Sequence, residues 1–219
     1  MRIFVGYIKR LLLYYKQMSF WLIVPFVVLI AVVPFLYFGD LKGTHSYEEF
    51  LIAFQNDLNL FLPLIPSWCS FFVMKEYIDA KGNELLFLYG NKIKLFEYFL
   101  VSVPVWLLNF LELAIIVIIN SLLLRYALCL VLVQIFIYLL LFAVVFLSGS
   151  ITISMLTVML YFIANEAIII DKPLPLIYSS ISDYSSCNEV GIVFFPIVIS
   201  LPFLIAIGLL KNKRFAKYN

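Results

Sequence analysis

The sequence predicts an all-α integral membrane protein with six transmembrane helices, and three observations carry that prediction. Hydrophobic residues make up 65% of the 219-residue chain and charged residues only 13%, against about half and about a quarter in soluble domains. Six apolar runs come close to or exceed the roughly 20 residues that cross a hydrocarbon core of about 30 Å. An alternating pattern over about ten residues, the mark of an outer-membrane barrel, is absent. A soluble fold of this length lacks the charge to cover such a core, so a single transmembrane domain over residues 1–219 is expected.

Taken in order, residues 1–17 interleave Arg2, Lys9, Arg10 and Lys16 with Ile3, Phe4, Val5, Ile8, Leu11, Leu12 and Tyr15. That pattern suits a helix lying in the membrane interface, the simpler alternative being a basic flank to the first span. The first span, 19–38, is too long for the apolar region of a secretion signal, and no small-x-small cleavage site follows it. The second, 58–74, is the shortest and is interrupted by Pro63 and Pro66; the third covers 98–119. The fourth, 126–147, and the fifth, 151–170, are separated only by Ser148-Gly149-Ser150. One straight helix through both would run about 67 Å at about 1.5 Å per residue, more than twice the bilayer core, so the chain must turn back near Gly149. The sixth span is 190–210. Pro25, Pro34, Pro104, Pro196 and Pro202 break hydrogen bonds within spans one, three and six. Of the outer loops, 39–57 and 171–189, the first contains Tyr47-Glu48-Glu49-Phe50, which reads as helical.

Orientation follows from the basic residues. Twelve of the fifteen Lys and Arg fall in the N-terminal segment, the loop after span two and the C-terminal tail; only Lys42, Arg125 and Lys172 fall on the other side. Both termini are therefore expected in the cytoplasm, with the protein multi-pass in a bacterial cell membrane. The loop 75–94 between spans two and three is the most informative stretch. Lys75, Glu76, Asp79 and Lys81 extend span two as a charged helix that Gly82 is suited to end. Asn83 is placed to cap a second short helix, with Glu84 in its first turn. That helix bears Leu85, Leu86, Phe87, Leu88 and Tyr89, more apolar surface than solvent tolerates, so it lies on the membrane or fits a partner's groove.

Six spans, a basic interfacial segment and a second-span loop reading Glu…Gly-x-Glu-Leu-Leu resemble the permease subunit of an ABC-2-type transporter. The resemblance covers nearly the whole chain as topology and residues 76–94 as motif. It implies that Glu76, Gly82, Asn83, Glu84, Leu85, Leu86, Phe87, Leu88 and Tyr89 belong to a coupling helix docked on a separate ATP-binding subunit. Asn83 stands where the family has Thr, and Tyr89-Gly90-Asn91 where it has a segment containing Pro. The resemblance further implies two ATP-binding subunits that hold ATP and Mg, and a second permease subunit, as in a homodimer. This chain carries no GxxxxGK[ST] motif and so cannot supply the ATP site, and no cofactor is expected in this chain. Small residues at Ser148/Thr152 and Ser150/Ser154 permit close helix approach, in a dimer or within one chain.

Two acids lie at membrane depth, Glu112 in span three and Glu166 in span five. Glu112 is one turn from Asn109, Asn165 precedes Glu166, and Gln134 in span four is able to join either spot. Buried acids face protein or water, and two readings stand on the sequence alone. Asn109, Glu112, Gln134, Asn165 and Glu166 line a substrate path that meets cationic groups, or they are helix-to-helix hydrogen-bonding residues, Glu166 reaching the outer interface.

Enzyme chemistry finds little footing. His45 is the only histidine, which excludes HExxH metalloprotease chemistry, and GxSxG is absent. Cys69, Cys129 and Cys187 show no metal or disulfide spacing, and no nucleic-acid motif appears. The rival readings are a six-helix substrate-capture subunit of a vitamin uptake system and a stand-alone membrane immunity protein. An exporter of hydrophobic or amphipathic molecules fits the short outer loops; antimicrobial or toxin peptides are the preferred cargo, small hydrophobic drugs the next.

Overall fold

A computed structural model describes residues 8, 9, 12, 16, 23–79, 94–167 and 200–207. Among these every regular element is helical. α1 (Ile23–Gly43) contains a wide π turn at Val28–Val32, where the Val33 N–H reaches back to Val28 O. Thr44 ends the helix in an extended conformation, its N–H and hydroxyl both donating to Asp40 O. Two residues later Ser46 caps α2 (Tyr47–Phe61): its Oγ accepts the Glu49 N–H, while Glu49 Oε2 accepts the His45 N–H. This reciprocal pair, with Glu48 and Glu49 in the first turn, satisfies donors that a helix start leaves unpaired. The outer loop read as partly helical therefore carries a four-turn helix.

α2 does not run straight into the second apolar helix. Pro63 and Pro66 each remove an N–H from the ladder, and the chain tightens into a 3-10 turn at Leu62–Leu64 before α3 (Ile65–Asp79). The span expected at 58–74 is thus divided: its first residues end α2, and only Leu62–Phe72 forms a continuous apolar stretch. α3 continues past that stretch through Lys75 and Glu76 to Asp79. α4 (Lys94–Ile119) holds Pro104 in its interior, and a 3-10 turn at Ser121–Leu123 leads into α5 (Leu124–Ser148). Gly149 ends α5 in the left-handed conformation, φ 65° and ψ 18°, with its N–H on Val145 O. That conformation costs an ordinary side chain about 1 kcal/mol or more and makes glycine the favoured residue for the break. α6 (Ile151–Ala167) then packs back on α5.

Among the described residues three helices are long and apolar enough to cross a membrane: α1, Phe99–Ile119 of α4, and Ser121–Ser148. Leu62–Phe72 and Ile151–Tyr161 are shorter apolar helices, so the described residues are compatible with a membrane protein. The first span differs from its expected 19–38 at the far end, where the helix persists to Gly43. Residues 168–170 of span five and most of span six lie outside the described residues.

The core gathers around α5. Leu130, Ile137, Tyr138 and Phe142 are fully buried there, against α3, α4, α6 and the 3-10 turn at Leu62–Leu64. On the other side α2 turns Phe50, Phe54, Leu58 and, beyond its end, Leu62 inward, one residue per turn. Tyr37 of α1 meets Phe50 and Phe54 edge-on at centroid distances of 5.3 and 5.2 Å, a favoured arrangement for aromatic quadrupoles. α1 meets α4 chiefly through its π turn.

Candidate functional site

Among the described residues two sets of buried polar groups tie the helices together, and an apolar cleft lies beside them. In the first set the Tyr138 hydroxyl on α5 sits between Ser70 Oγ of α3 at 2.9 Å and Ser102 Oγ of α4 at 2.7 Å. Ser102 gives its one proton to Phe99 O. Tyr138 therefore donates to Ser102, and the Tyr138 and Ser70 hydroxyls share the second bond. All three residues are fully buried, so this chain of hydroxyls ties three helices without leaving a donor in the apolar core.

The second set is a closed amide pair. Asn109 Nδ2 of α4 donates to Gln134 Oε1 of α5 at 2.9 Å, and Gln134 Nε2 returns a bond to Asn109 Oδ1 at 3.2 Å. The second proton of Gln134 Nε2 goes to Leu62 O at 3.1 Å. The cause lies in the sequence of the break: in a regular helix Leu62 O would accept from residue 66, and Pro66 has no N–H. The Ile65 N–H takes one lone pair in 3-10 fashion, and Gln134 takes the other.

The cleft lies between α1 and α4 and encloses about 330 Å³. Leu29, Val33 and Tyr37 line it from α1, and Leu108, Ile115 and Ile116 from α4. Its one acidic residue is Glu112. Glu112 Oε1 is buried and has no hydrogen-bond partner among the described residues. Asp40 Oδ2, Ser67 Oγ, Trp106 Nε1 and Asn120 Nδ2 are likewise buried and unpartnered there.

The structure brings Gln134 to Asn109 and leaves Glu112 apart from both. Residues three apart on a helix differ by about 60° around its axis. That rotation directs Asn109 to α5 and Glu112 to α1. Asn165 and Glu166 fall in the last turn of α6. Glu76 lies in the charged end of α3, whereas Gly82, Asn83, Glu84, Leu85, Leu86, Phe87, Leu88 and Tyr89 lie outside the described residues. The small-residue stripe divides: Ser154 is fully buried with its hydroxyl on Ile151 O, Ser148 bonds within the turn, and Thr152 is exposed. Cys69 and Cys129 are buried. Sequence reasoning passed over Ser70, Ser102 and Tyr138; their signal was a hydroxyl within each of three apolar runs. Among the described residues no cluster of three or more His, Cys, Asp or Glu is placed to hold a metal ion. No family model, no curated protein and no solved structure matches the chain.

Proposed function

We propose that the chain is the membrane-spanning permease subunit of an ATP-driven ABC exporter for a hydrophobic or amphipathic substrate. It spans the bacterial cell membrane six times with both termini in the cytoplasm, and a separate ATPase drives it between inward and outward accessibility. The observation that carries this reading is the segment 75–94, where eight of the twenty-eight charged residues fall within 75–97 around Gly82-Asn83-Glu84-Leu85-Leu86. The course of α3 supports it, because the helix continues beyond its apolar stretch into Lys75 and Glu76. So does the packing of α3 on α4, the two helices that the segment joins. A short element tied to two adjacent helices transmits a push to both, which is what coupling to an external ATPase requires.

The test is co-purification. The full chain, tagged and extracted from its own membranes, is expected to carry a stable partner that contains a GxxxxGK[ST] motif and hydrolyses ATP. Replacing Leu85, Leu86, Phe87, Leu88 and Tyr89 with Ser and Gln is expected to release that partner while the chain stays in the membrane. A chain that purifies without such an ATPase, yet still protects cells against a toxin peptide, would overturn the permease reading in favour of a protein acting by binding alone.

A further inference from the structure

We infer that α3, α4 and α5 hold one buried water molecule between them, which accepts the Trp106 indole N–H and donates to the Ser67 hydroxyl. The inference rests on how these helices pack and holds whether or not an ATPase partner exists.

Register comes first. Two ties fix the relative heights of the three helices. Ser70, Tyr138 and Ser102 meet in one, and Leu62, Gln134 and Asn109 in the other. From the first tie to the second, residue numbers rise on α4 and fall along α3 and α5, so α4 runs opposite to both. Ser67 lies inside this interval, three residues from Ser70, and Trp106 lies inside it, four residues from Ser102. Those separations are about 4.5 and about 6 Å along the helix axes, so the two residues stand at nearly the same level. α3 packs on both α4 and α5. The Trp106 ring meets the Tyr138 ring edge-on at a centroid distance of 6.0 Å, which brings the indole against α5.

Chemistry comes second. Ser67 and Trp106 are only 2% and 8% exposed. Ser67 Oγ and Trp106 Nε1 are buried, and neither has a hydrogen-bond partner among the described residues. An indole N–H only donates, whereas a hydroxyl both donates and accepts. Buried polar groups without a protein partner are met by ordered water, which makes about two to four hydrogen bonds. An anion would also accept from both groups. The interval is filled, however, by residues 63–69, 103–108 and 135–137, which include no charged side chain. An unpaired charge at this depth is costly, so the occupant that fits is a neutral acceptor that can also donate. Ser102, Trp106 and Asn109 recur along one buried face of α4, and the water closes the gap between the polar contacts of the first and the last.

The experiment is a crystal structure of the full chain grown from a lipid mesophase, at a resolution that shows ordered water. One peak is expected within about 2.7–3.2 Å of both Trp106 Nε1 and Ser67 Oγ. Nuclear magnetic resonance of the full chain in phosphatidylcholine nanodiscs supplies the second readout, with tryptophan labelled at the indole nitrogen and Trp106 assigned by its loss in Trp106→Phe. The Trp106 N–H should cross-relax with a long-lived water, and Ser67→Ala should shorten the residence of that water about fivefold, as the loss of one hydrogen bond implies. A direct Trp106–Ser67 bond in the crystal, or a Ser67 hydroxyl turned onto Pro63 O with no peak beside the indole, would overturn the proposal. So would a peak that bromide replaces, which would identify an anion, or water residence unchanged by Ser67→Ala. The unsubstituted chain decides the crystallographic arm even if a variant fails to fold. Neither measurement involves an ATPase, so failure here and failure of the permease reading are separate results.

Discussion

Asn109 and Glu112 stand one turn apart on α4, and their surroundings are opposite. Asn109 is sealed against α5 in a reciprocal amide pair that also closes the proline break of the neighbouring helix. Glu112 faces an apolar cleft with one oxygen unpartnered among the described residues. Polar residues inside a bundle serve two ends: where every donor and acceptor is matched they fix helices to each other, and where one is left over it is available to something else. The amide pair ties α4 to α5, and the acid one turn on faces α1.

Four measurements break or sharpen that contrast, beginning with the largest expected effect. Stranding a buried polar group costs about 1–3 kcal/mol in soluble proteins, whereas interhelical bonds in membrane proteins average only about 0.6 kcal/mol. Gln134→Leu strands both ends of the Asn109 amide and removes one bond to Leu62 O, so unfolding in mixed micelles should show a loss of about 2 kcal/mol. Adding Asn109→Leu removes the stranded partner, and the double variant should recover about 1 kcal/mol of that loss; strict additivity would mean that the amides do not act as a pair. Tyr138→Phe deletes the hydroxyl between Ser70 and Ser102 and should cost about 1 kcal/mol in the same assay. Glu112→Gln should change stability least, by less than about 0.5 kcal/mol, as for positions without partners to lose. A penalty there as large as for Gln134→Leu would place Glu112 in the scaffold and end the contrast.

Helix existence was largely legible because it depends on local chemistry. The apolar runs after Lys94 and Arg125, the acidic start of α2 after Ser46, and the need for a reversal at Gly149 are all written in neighbouring residues. Pro63 and Pro66 marked the weakness of the second span, and the tight 3-10 turn beside them is where the helix boundary moved. The sequence did not disclose which residue repairs that break. Pro66 announces that Leu62 O lacks a donor, but the donor arrives from Gln134, 72 residues away. Spacing grouped Glu112 with Asn109 for a similar reason: a separation of one turn defines a face only until the neighbouring helices divide it. The hydroxyls of Ser70, Ser102 and Tyr138 gave no periodic signal, since each comes from a different helix.

The π turn at Val28–Val32 carries a consequence for chain length. Its bond from Val33 N–H to Val28 O spans one residue more than an α-helical bond, so the turn is a single-residue insertion accommodated within α1. Deleting Ala31 would restore an unbroken α-helix and rotate one half of α1 against the other by about 100°. Tyr37, Phe50 and Phe54 anchor the C-terminal half, so the N-terminal half is the part that swings, carrying Leu29 away from Glu112 and leaving Val33 in place. The chemistry opposite the acid is set by residue count as much as residue type, and one codon is enough to exchange it.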